Sequence, residues 1–506
     1  MNQGKICVSV CAETADEMIA NIKRAEEFAD VVEVRFDCLR REQIEICISK
    51  ISNCKFQILL LATFRSTDQG GNGNATFNER LKFWDQKPKE FWGGDFEEEV
   101  ISCSDGWTNR IVSAHDFQGI PSDLGQIHER MAGSEAGILK IAVTANDVVD
   151  CLPVWELLDL AKTNGNRIIP IAMGEAGKWT RVLGLAHGAF MTYASLDEGK
   201  ETADGQITAN DLVETYRVKL LDRDTEVFGV IGDPVARSLS PYMHNAAFVA
   251  AGLNAVFIPL LVINLDQFIR RMVNPATREV ELNFGGFSVT MPHKQAMMKH
   301  LDAIDPIAEK IGAVNTVKVS DGKLTGYNTD AHGFVTPLKR KFGSLKGARV
   351  AVFGAGGASR ACIYALKQEG AEVTVFARDP ARGEEFANEF DVKLETVSKL
   401  KDQSSKIDFD IVVNATPLGM KGPLENDSLF TSEELSGVKL VFDLITSLSE
   451  TPITREAKKA GIPAIGGFEM LVAQGAKQFE IWTGNDAPVE LMRDAIVSKM
   501  GRKKNT

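Results

Sequence analysis

The sequence predicts an α/β protein: an N-terminal (β/α)₈ barrel, then a two-lobed α/β unit that ends in a doubly wound Rossmann sheet. Residues 5–220 alternate short apolar strands with amphipathic helices, in units of roughly 25–30 residues that are typical of a parallel barrel. After the charged stretch 219–226 the alternation starts afresh. From Ala348 onward a strand, a glycine turn and a helix follow one another, as in dinucleotide-binding sheets.

Seven barrel strands are visible as apolar runs, and helices fit between them, for example over residues 14–29. The runs are KICVSVC (5–11), DVVEVRFD (30–37), QILLLATFR (57–65), RIVSAHDF (110–117), ILKIAVTA (138–145), RIIPIAMG (167–174) and AFMTYASL (189–196). The remaining strand, fourth in order, has to lie within 91–100. That segment has a poor strand propensity because it is rich in glycine and acidic residues.

Bulk composition narrows the class of partner. The 506 residues carry a net charge of −12, and this argues against nucleic acid, which requires a basic surface. No apolar stretch approaches the length of a membrane span, so we expect no membrane contact. The N-terminus runs directly into a strand without a visible signal or transit peptide, which favours a cytoplasmic location.

Cysteine spacing predicts neither a disulfide framework nor a metal site. Seven of the eight cysteines precede residue 152, without a CxxC pair or a neighbouring histidine cluster. This pattern favours reduced, mostly buried thiols, with Cys7 and Cys11 in the core of the first strand.

Polar residues at the ends of the barrel strands are the candidates for a first active site, because such barrels form their sites at the carboxyl ends of the strands. Lys140 lies among apolar residues, and an amine that loses hydration favours its uncharged, nucleophilic form. Either Lys140 or His115 alone is more often structural. Because they lie at equivalent ends of consecutive strands, we expect them around one barrel mouth. Arginines at other strand ends suit a carboxylate.

The motifs EVRFD, ATFRSTDQGG, SAHDF, KIAV, MGEAGKWTR and ADGQIT resemble those of type I 3-dehydroquinate dehydratases, over most of residues 5–215. The resemblance implies that Lys140 forms a Schiff base with the ring ketone and that His115 transfers protons. It also implies that Arg181 holds the substrate carboxylate. The other implied substrate contacts are Glu33, Arg35, Arg65, Thr202 and Gln206. The chain departs from the family at Gln69, where Glu is common, and in the short segment between Arg65 and His115.

The second candidate site begins with GAGGASR, residues 354–360, after the strand RVAVF. Glycines there allow a pyrophosphate to approach a helix N-terminus, although a tight structural turn could use the same residues. Arg378 follows the next strand, where a guanidinium accommodates a 2′-phosphate, so the sequence favours NADP over NAD. The cofactor contacts expected in this region are Gly354, Ala355, Gly356, Gly357, Ala358 and Arg378.

Residues 226–485 resemble shikimate dehydrogenases through GDPVARSLSPYMHNAAF, FSVTMPHK, GAVNT and GYNTD. The resemblance implies that Lys294 and Asp330 form a catalytic pair that protonates the carbonyl oxygen as NADPH reduces it. The implied substrate contacts are Ser238, Ser240, Thr290, Asn315 and Gln474. Thr416 and Gly467 would lie on the nicotinamide side of the cofactor.

Together the two resemblances imply a bifunctional enzyme. The first site would dehydrate 3-dehydroquinate to 3-dehydroshikimate, and the second would reduce that product to shikimate with NADPH. We expect a barrel over 1–221, a shikimate-dehydrogenase-like substrate lobe over 226–335 with 480–506, and an NADP-binding lobe over 340–479. Two alternatives remain at this point: a quinate/shikimate dehydrogenase with weak dehydratase activity, and a regulatory protein that binds quinate without turnover.

Overall fold

A computed structural model describes residues 2–134, 136–396, 408–447 and 449–502. The chain forms two compact units, Met1–Ser238 with Asn254–Phe284, and Leu239–Leu253 with Gly285–Thr506. The predicted domain boundaries stay a prediction. No helix in the described part of the chain has the length and apolar character needed to cross a membrane.

Eight parallel strands of the first unit form the barrel, and the predicted fold is confirmed. The strands are β1 Lys5–Val10, β2 Val31–Arg35, β3 Leu59–Thr63, β4 Gly93–Glu97, β5 Asn109–Asp116, β6 Ile138–Thr144, β7 Arg167–Met173 and β8 Met191–Ser195. They follow the order β7-β6-β5-β4-β3-β2-β1-β8, and the short β9 Ile207–Thr208 lies beside β8. The backbone N–H of Phe190, just before β8, donates a hydrogen bond to the carbonyl oxygen of Ile168 in β7 at 2.8 Å. This bond joins β7 to β8 and closes the barrel.

Helices alternate with these strands as the repeat predicts. They are α1 Ala15–Ala25, α2 Arg41–Asn53, α3 Phe77–Asp85, α4 Leu124–Ala132, α5 Leu152–Asn164 and α6 Lys178–His187. The first unit also contains the parallel pair β10 Glu226–Gly232 and β11 Ala255–Leu261, and a short helix at Leu265–Phe268.

The fourth strand lies inside the predicted segment 91–100, and packing explains its poor propensity. A Cβ on Gly93 would lie 2.4 Å from the carbonyl oxygen of Asn109, and a Cβ on Gly94 would lie 2.6 Å from the ring of Phe96. Neither position has space for a side chain. The ring of Phe96 packs on Trp84 with centroids 4.3 Å apart, so aromatic burial stabilises a strand that β propensity disfavours.

The expectation of reduced thiols is wrong at one pair. Cys11 and Cys38 form a disulfide, with Cα atoms 5.4 Å apart, and both residues are half-buried at the barrel mouth rather than in the core. The reason is the parallel register of β1 and β2, in which Val10 lies opposite Val34. The chain segments that follow these strands therefore meet at one edge. Cys7 is fully buried, as expected.

The second unit contains a smaller mixed sheet and a Rossmann sheet. The part with the mixed sheet comprises α7 Ser240–Ala250, β12 Phe284–Val289, β13 Ala303–Ile304, α9 Pro306–Ile311, β14 Thr316–Ser320, β15 Lys323–Tyr327 and α10 Asp330–Phe342. The label α8 is given to the short helix Leu265–Phe268 of the first unit. Strand β14 runs antiparallel to both β12 and β15, and β13 pairs in parallel with β15.

The Rossmann sheet is parallel throughout its described strands, in the order β18-β17-β16-β19-β20-β21. Its elements are β16 Arg349–Phe353, α11 Gly357–Gln368, β17 Glu372–Ala377, α12 Pro380–Phe390, β18 Lys393–Thr396, β19 Ile411–Asn414, β20 Leu440–Asp443, α13 Pro452–Lys459 and β21 Ala464–Gly466. Two further helices follow, α14 Gly467–Thr483 and α15 Val489–Arg502. The strand order changes direction at β16, and in such sheets ligands bind outside the carboxyl ends of the strands at this point.

Candidate active sites

One cavity opens at the carboxyl ends of the barrel strands, and all of the residues predicted for the first site line it. These are Glu33, Arg35, Arg65, His115, Lys140, Arg181, Thr202 and Gln206. Gln69 and Tyr193 line it as well. The expectation that Arg181 and Gln206 lie at strand ends is wrong, because Arg181 projects from α6 and Gln206 lies, like Thr202, in the segment between β8 and β9. Strands, a helix and a loop together bring these side chains to one cavity.

Lys140 projects from β6 into the barrel interior, where it is 5 % exposed. Its Nζ lies 2.8 Å from Oδ2 of Asp95 and 3.8 Å from Oε1 of Glu33. The same atom lies 4.0 Å from the ring centroid of Tyr193. The apolar setting expected for this amine is therefore incomplete, because the flanking residues in the sequence are apolar but the side chain faces two carboxylates and an aromatic ring.

Asp95 is a functional residue that the sequence interpretation missed. It lies on β4 and is 1 % exposed, and its Oδ2 accepts hydrogen bonds from Lys140 and from Nη2 of Arg65 at 2.7 Å. Burial alone would raise the pKa of Asp95, but the two cations lower it below its ordinary value. The carboxylate is thus a fixed negative charge beside the lysine. The sequence signal for Asp95 was weak, because this residue lies in the segment 91–100, whose strand propensity is poor.

His115 is held by the side chain of Gln69. The Gln69 oxygen accepts a hydrogen bond from the backbone N–H of His115 at 2.9 Å, which identifies that atom as Oε1, since a backbone N–H can only donate. The same oxygen lies 3.2 Å from Nδ1 of the imidazole. Nδ1 therefore carries the proton, and Nε2 keeps a free lone pair that can accept one.

The pKa of His115 lies well below its ordinary value, because burial disfavours the charged ring and the nearby cations Arg65 and Lys140 repel it. The imidazole is therefore neutral at neutral pH. A neutral ring with a free Nε2 is the form that a general base requires.

Arg181 is 2 % exposed and no carboxylate pairs with it among the described residues. Its Nη1 and Nη2 reach only the carbonyl oxygens of Tyr193 and Asp204, at 3.3 and 3.4 Å, and its Nε has no partner in the described structure. Desolvation lowers the pKa of Arg181 to about 10. A buried cation of this kind is stabilised by an anion that enters the cavity.

The remaining residues of the mouth are ordered by one another. Glu33 accepts hydrogen bonds from Ser9 at 2.5 Å and Thr63 at 2.9 Å. Gln206 accepts one from the backbone of Thr202 at 2.8 Å and donates one to its hydroxyl at 3.1 Å. These contacts leave polar atoms facing a cavity that can hold a small hydroxylated acid.

In the second unit, Lys294 and Asp330 form an ion pair as the motifs imply. The Nζ of Lys294 lies 2.5 Å from Oδ2 of Asp330, and Oδ1 of Asp330 accepts a hydrogen bond from Nδ2 of Asn315 at 2.8 Å. Asn315 also contacts the side chains of Thr329 and Gln474, at 3.0 and 3.4 Å. The carboxylate is 6 % exposed and holds the ammonium in one place.

The other residues predicted around this pair lie in different settings. Ser240 is buried at the start of α7, and Thr290 is half-buried at the end of β12. Ser238 is half-buried and belongs to the first unit. Gln478 was not predicted; it is fully buried and donates to Ser288, Thr316 and the carbonyl of Asn315, so it fixes the strands that carry the site.

The glycine turn has the geometry that a dinucleotide requires. Gly354 has a φ of 113°, and a Cβ there would lie 2.6 Å from the carbonyl oxygen of Ala415, so only glycine fits. A Cβ on Gly356 or Gly357 would meet no atom within 4 Å, which leaves open space at the N-terminus of α11. Unpaired backbone N–H groups at a helix start bind phosphate. Ala355 and Ala358 are half-exposed beside this space.

Arg378 is exposed directly after β17, the strand next to β16, at the edge of the sheet where the parallel strands end. Thr416 donates a hydrogen bond to Asn414 at 2.7 Å just after β19. Gly467 is buried, and a Cβ there would lie 2.3 Å from the carbonyl oxygen of Leu444. Close packing of α14 against the end of β20 therefore requires this glycine, whatever its role toward a cofactor.

Both halves of the chain match known protein families. Residues 6–222 match the type I 3-dehydroquinase family, and residues 230–317 match the shikimate dehydrogenase substrate binding domain. Residues 337–438 match the shikimate/quinate 5-dehydrogenase family, and residues 467–497 match the shikimate 5′-dehydrogenase C-terminal domain.

Two relatives and one solved structure illustrate the similarity. The chain is 34% identical over 521 residues to the chloroplastic bifunctional 3-dehydroquinate dehydratase/shikimate dehydrogenase of Arabidopsis thaliana, covering 97% of this chain and 84% of that protein. It is 38% identical over 286 residues to the NADP(+) shikimate dehydrogenase of Methanocaldococcus jannaschii, covering 56% and 99%. A crystal structure of a shikimate dehydrogenase in complex with NADP+ matches with a TM-score of 0.50 and 38% identity, covering 55% of this chain and 97% of that one.

A relative that is named for both activities thus matches nearly the whole chain. The chain belongs to the family of bifunctional 3-dehydroquinate dehydratase/shikimate dehydrogenases.

Proposed function

We propose that the barrel dehydrates 3-dehydroquinate to 3-dehydroshikimate and that the second unit reduces this product to shikimate with NADPH. The observation that carries the proposal is the barrel mouth, where Lys140, His115 and the buried cation Arg181 line one cavity. The small-molecule substrates and NADP are those of the family. The regulatory alternative gains no support, because the lysine and acid–base groups of both sites are present. No observation favours the other alternative, a quinate/shikimate dehydrogenase with weak dehydratase activity.

In the barrel, Arg181 binds the substrate carboxylate and places the ring ketone at Lys140. His115 takes a proton from the ammonium of Lys140, and the free amine attacks the ketone to give a carbinolamine. His115 returns the proton to the carbinolamine hydroxyl, which leaves as water, and the resulting iminium acidifies the neighbouring C–H bond. His115 then takes the C–H proton through Nε2 and gives it to the departing hydroxyl, which leaves as a second water molecule. Water hydrolyses the remaining iminium, which releases 3-dehydroshikimate and restores the ammonium of Lys140. Asp95 stabilises positive charge on the nitrogen of Lys140 at both stages, because it stays ionised beside it.

In the second unit, NADPH supplies a hydride to the substrate carbonyl when it is bound. Lys294 donates a proton to the carbonyl oxygen as charge develops there, and Asp330 fixes the ammonium within reach. Asn315 keeps Asp330 oriented. Ser240, Thr290 and Gln474 bind the carboxylate and ring hydroxyls in this proposal, and the predicted contact of Ser238 stays a prediction of the sequence. Arg378 binds the 2′-phosphate, and Thr416 and Gly467 lie on the nicotinamide side.

The domain bounds also belong to the proposal: a dehydratase barrel over 1–221, a substrate lobe over 226–335 with 480–506, and a cofactor lobe over 340–479. A cytoplasmic location is part of it too. Matches of separate family models to 6–222 and 230–317 support a boundary between the first two parts.

The proposed dehydratase chemistry predicts covalent trapping at one lysine. Borohydride added with 3-dehydroquinate should reduce the imine to a stable adduct on Lys140, identified by peptide mass spectrometry. Lys140→Ala should abolish both the adduct and dehydration and leave the reduction of 3-dehydroshikimate by NADPH intact. Lys162→Ala, an exposed lysine on α5, is the matched control and should react like the unmodified protein. An adduct on another lysine would show that the assignment is wrong.

Gln69→Glu should change the pH dependence of dehydration. A carboxylate beside Nδ1 stabilises the imidazolium and raises the pKa of His115, so the base becomes protonated at a higher pH. The acidic limb of the kcat/KM profile should therefore move to higher pH. Gln118→Glu adds the same charge at an exposed position three residues from His115 and should leave the limb in place. An unchanged limb in Gln69→Glu would contradict the hydrogen-bond assignment.

Arg181→Met should raise the KM for 3-dehydroquinate by roughly tenfold to a hundredfold, since a hydrogen bond between charged groups contributes about 1.5–3 kcal/mol. Thermal unfolding should not move to a lower temperature, because among the described residues no carboxylate pairs with Arg181 and would be left uncompensated. Arg167→Met removes an exposed arginine at the other end of the barrel strands and serves as the control. A large loss of stability with an unchanged KM would assign Arg181 to folding rather than to binding.

Arg378→Ala should weaken the binding of NADPH and leave the binding of NADH unchanged. Loss of a guanidinium–phosphate contact should raise the KM for NADPH by roughly tenfold to a hundredfold. Lys393→Ala, which removes an exposed cation at the opposite end of the neighbouring strand β18, should have no such effect. Equal use of NADPH and NADH by the unmodified protein would show that Arg378 does not select the cofactor.

A further inference from the structure

The disulfide lies directly beside the substrate side of the barrel mouth. Cys38 ends the helical turn Phe36–Cys38, which begins immediately after Arg35, and Arg35 lines the cavity. Cys11 follows β1 on the neighbouring strand. The bond therefore fastens the turn after β2 to the end of β1, at the edge where the substrate enters.

The main anchor of the turn is Asp37, the residue just before Cys38. Asp37 is 3 % exposed and accepts two hydrogen bonds from the Arg35 guanidinium, at 2.9 and 2.7 Å. It also accepts the backbone N–H groups of Arg65 and Asn72, at 3.3 and 3.0 Å. Movement of the turn that carries Asp37 thus moves both a cavity arginine and the loop after β3.

That loop, residues 66–74, connects the disulfide to the proposed base. The side-chain amide of Asn72 lies 3.6 Å from the sulfur of Cys11 and 3.4 Å from that of Cys38. A Cβ on Gly73 would lie 2.7 Å from the carbonyl oxygen of Asp37, so the loop backbone rests on the turn without a gap. Gln69 lies in the same loop, and its side-chain oxygen contacts the backbone N–H and the ring of His115.

We propose that Cys11 and Cys38 form a redox modification site that sets the affinity of the barrel for its substrate. The inference rests on the dehydratase function proposed above. In the disulfide form the turn, Arg35 and the loop are held in the binding arrangement. In the dithiol form the turn is released from β1, the contacts of Asn72 with the joined sulfurs are lost, and substrate binds more weakly.

The reaction that interconverts the two forms is thiol–disulfide exchange with a dithiol reductant. One thiolate of the reductant attacks a sulfur of the bond, and the mixed disulfide is then resolved by the second thiol of the reductant. The Cys11–Cys38 bond breaks and gains two hydrogens, while the reductant loses two and closes its own disulfide. Both cysteines are half-buried rather than enclosed, which allows a thiolate to reach them. In reducing compartments such bonds are rare, and those that occur are usually catalytic or redox-sensing.

The full chain carries its own control, because the disulfide belongs to the first unit, whereas Lys294 and Asp330, on which the reduction of 3-dehydroshikimate depends, belong to the second. We would measure both activities of the purified protein after oxidation with oxidised glutathione and after reduction with dithiothreitol, and map the bond by mass spectrometry. Reduction should raise the KM for 3-dehydroquinate roughly two- to tenfold, the effect of weakening about one hydrogen bond. The dehydrogenase activity should be the same in both forms.

Variants separate the bond from general effects of the reagents. Cys11→Ser should show the raised KM under both treatments and no response to dithiothreitol. Cys54→Ser, which removes a half-buried free thiol of the same unit, should respond like the unmodified protein. If Cys11→Ser does not fold, the treated unmodified protein still decides the question.

Two results would overturn the inference. An equal KM in the two forms, with the bond shown to be present in one and absent in the other, would mean that the disulfide has no role in binding. Failure of the bond to form under oxidation would remove the site itself. Absence of dehydration in both forms would instead overturn the proposed function on which the inference depends.

Discussion

The barrel mouth depends on one buried carboxylate shared by two cations. Asp95 accepts hydrogen bonds from both Arg65 and Lys140 with the same oxygen, at 2.7 and 2.8 Å. Two positive charges in a desolvated cavity would repel each other without it. Removing one member of such a buried set costs about 3–5 kcal/mol, because the remaining charges are left uncompensated. The position of the lysine, and therefore the place where an imine can form, follows from this contact.

The same charges help to keep the imidazole of His115 neutral. The cations that Asp95 holds in place lie close enough to the imidazole to disfavour its charged form, in addition to the effect of burial. A carboxylate at position 69 would offset that influence. The amide of Gln69 keeps the tautomer and the orientation of the ring without adding charge. The departure from the common family residue thus changes the electrostatics of the base while it preserves the hydrogen-bond geometry.

The second site uses a lysine and a carboxylate in a different way. Among the described residues Lys294 forms its ion pair with Asp330, and that carboxylate is oriented by the neutral amide of Asn315 rather than by a second cation. The Asn315 amide reaches Asp330, Thr329 and Gln474 at once. A charged lysine that donates a proton requires a fixed counter-ion, whereas a lysine that forms an imine requires a path to its uncharged form. Asp330 meets the first demand at the second site, and the neutral imidazole of His115, which lines the same cavity as Lys140, can take the proton of that lysine at the first.

The sequence by itself determined the barrel and the Rossmann sheet and predicted the residues of both sites, because strand periodicity and short motifs are local properties of the chain. Lys140, His115, Lys294 and Asp330 were all predicted in this way. The tertiary structure alone decided three matters. Asp95 lies on a strand formed by GGDFE, where close packing excludes side chains at Gly93 and Gly94 and overrides propensity. Cys11 and Cys38 bond because parallel register places the ends of β1 and β2 together, which a separation of 27 residues does not indicate. Gln69 reaches His115 because a loop folds back across the mouth. Each of these is a contact between segments distant in sequence, and no local pattern encodes it.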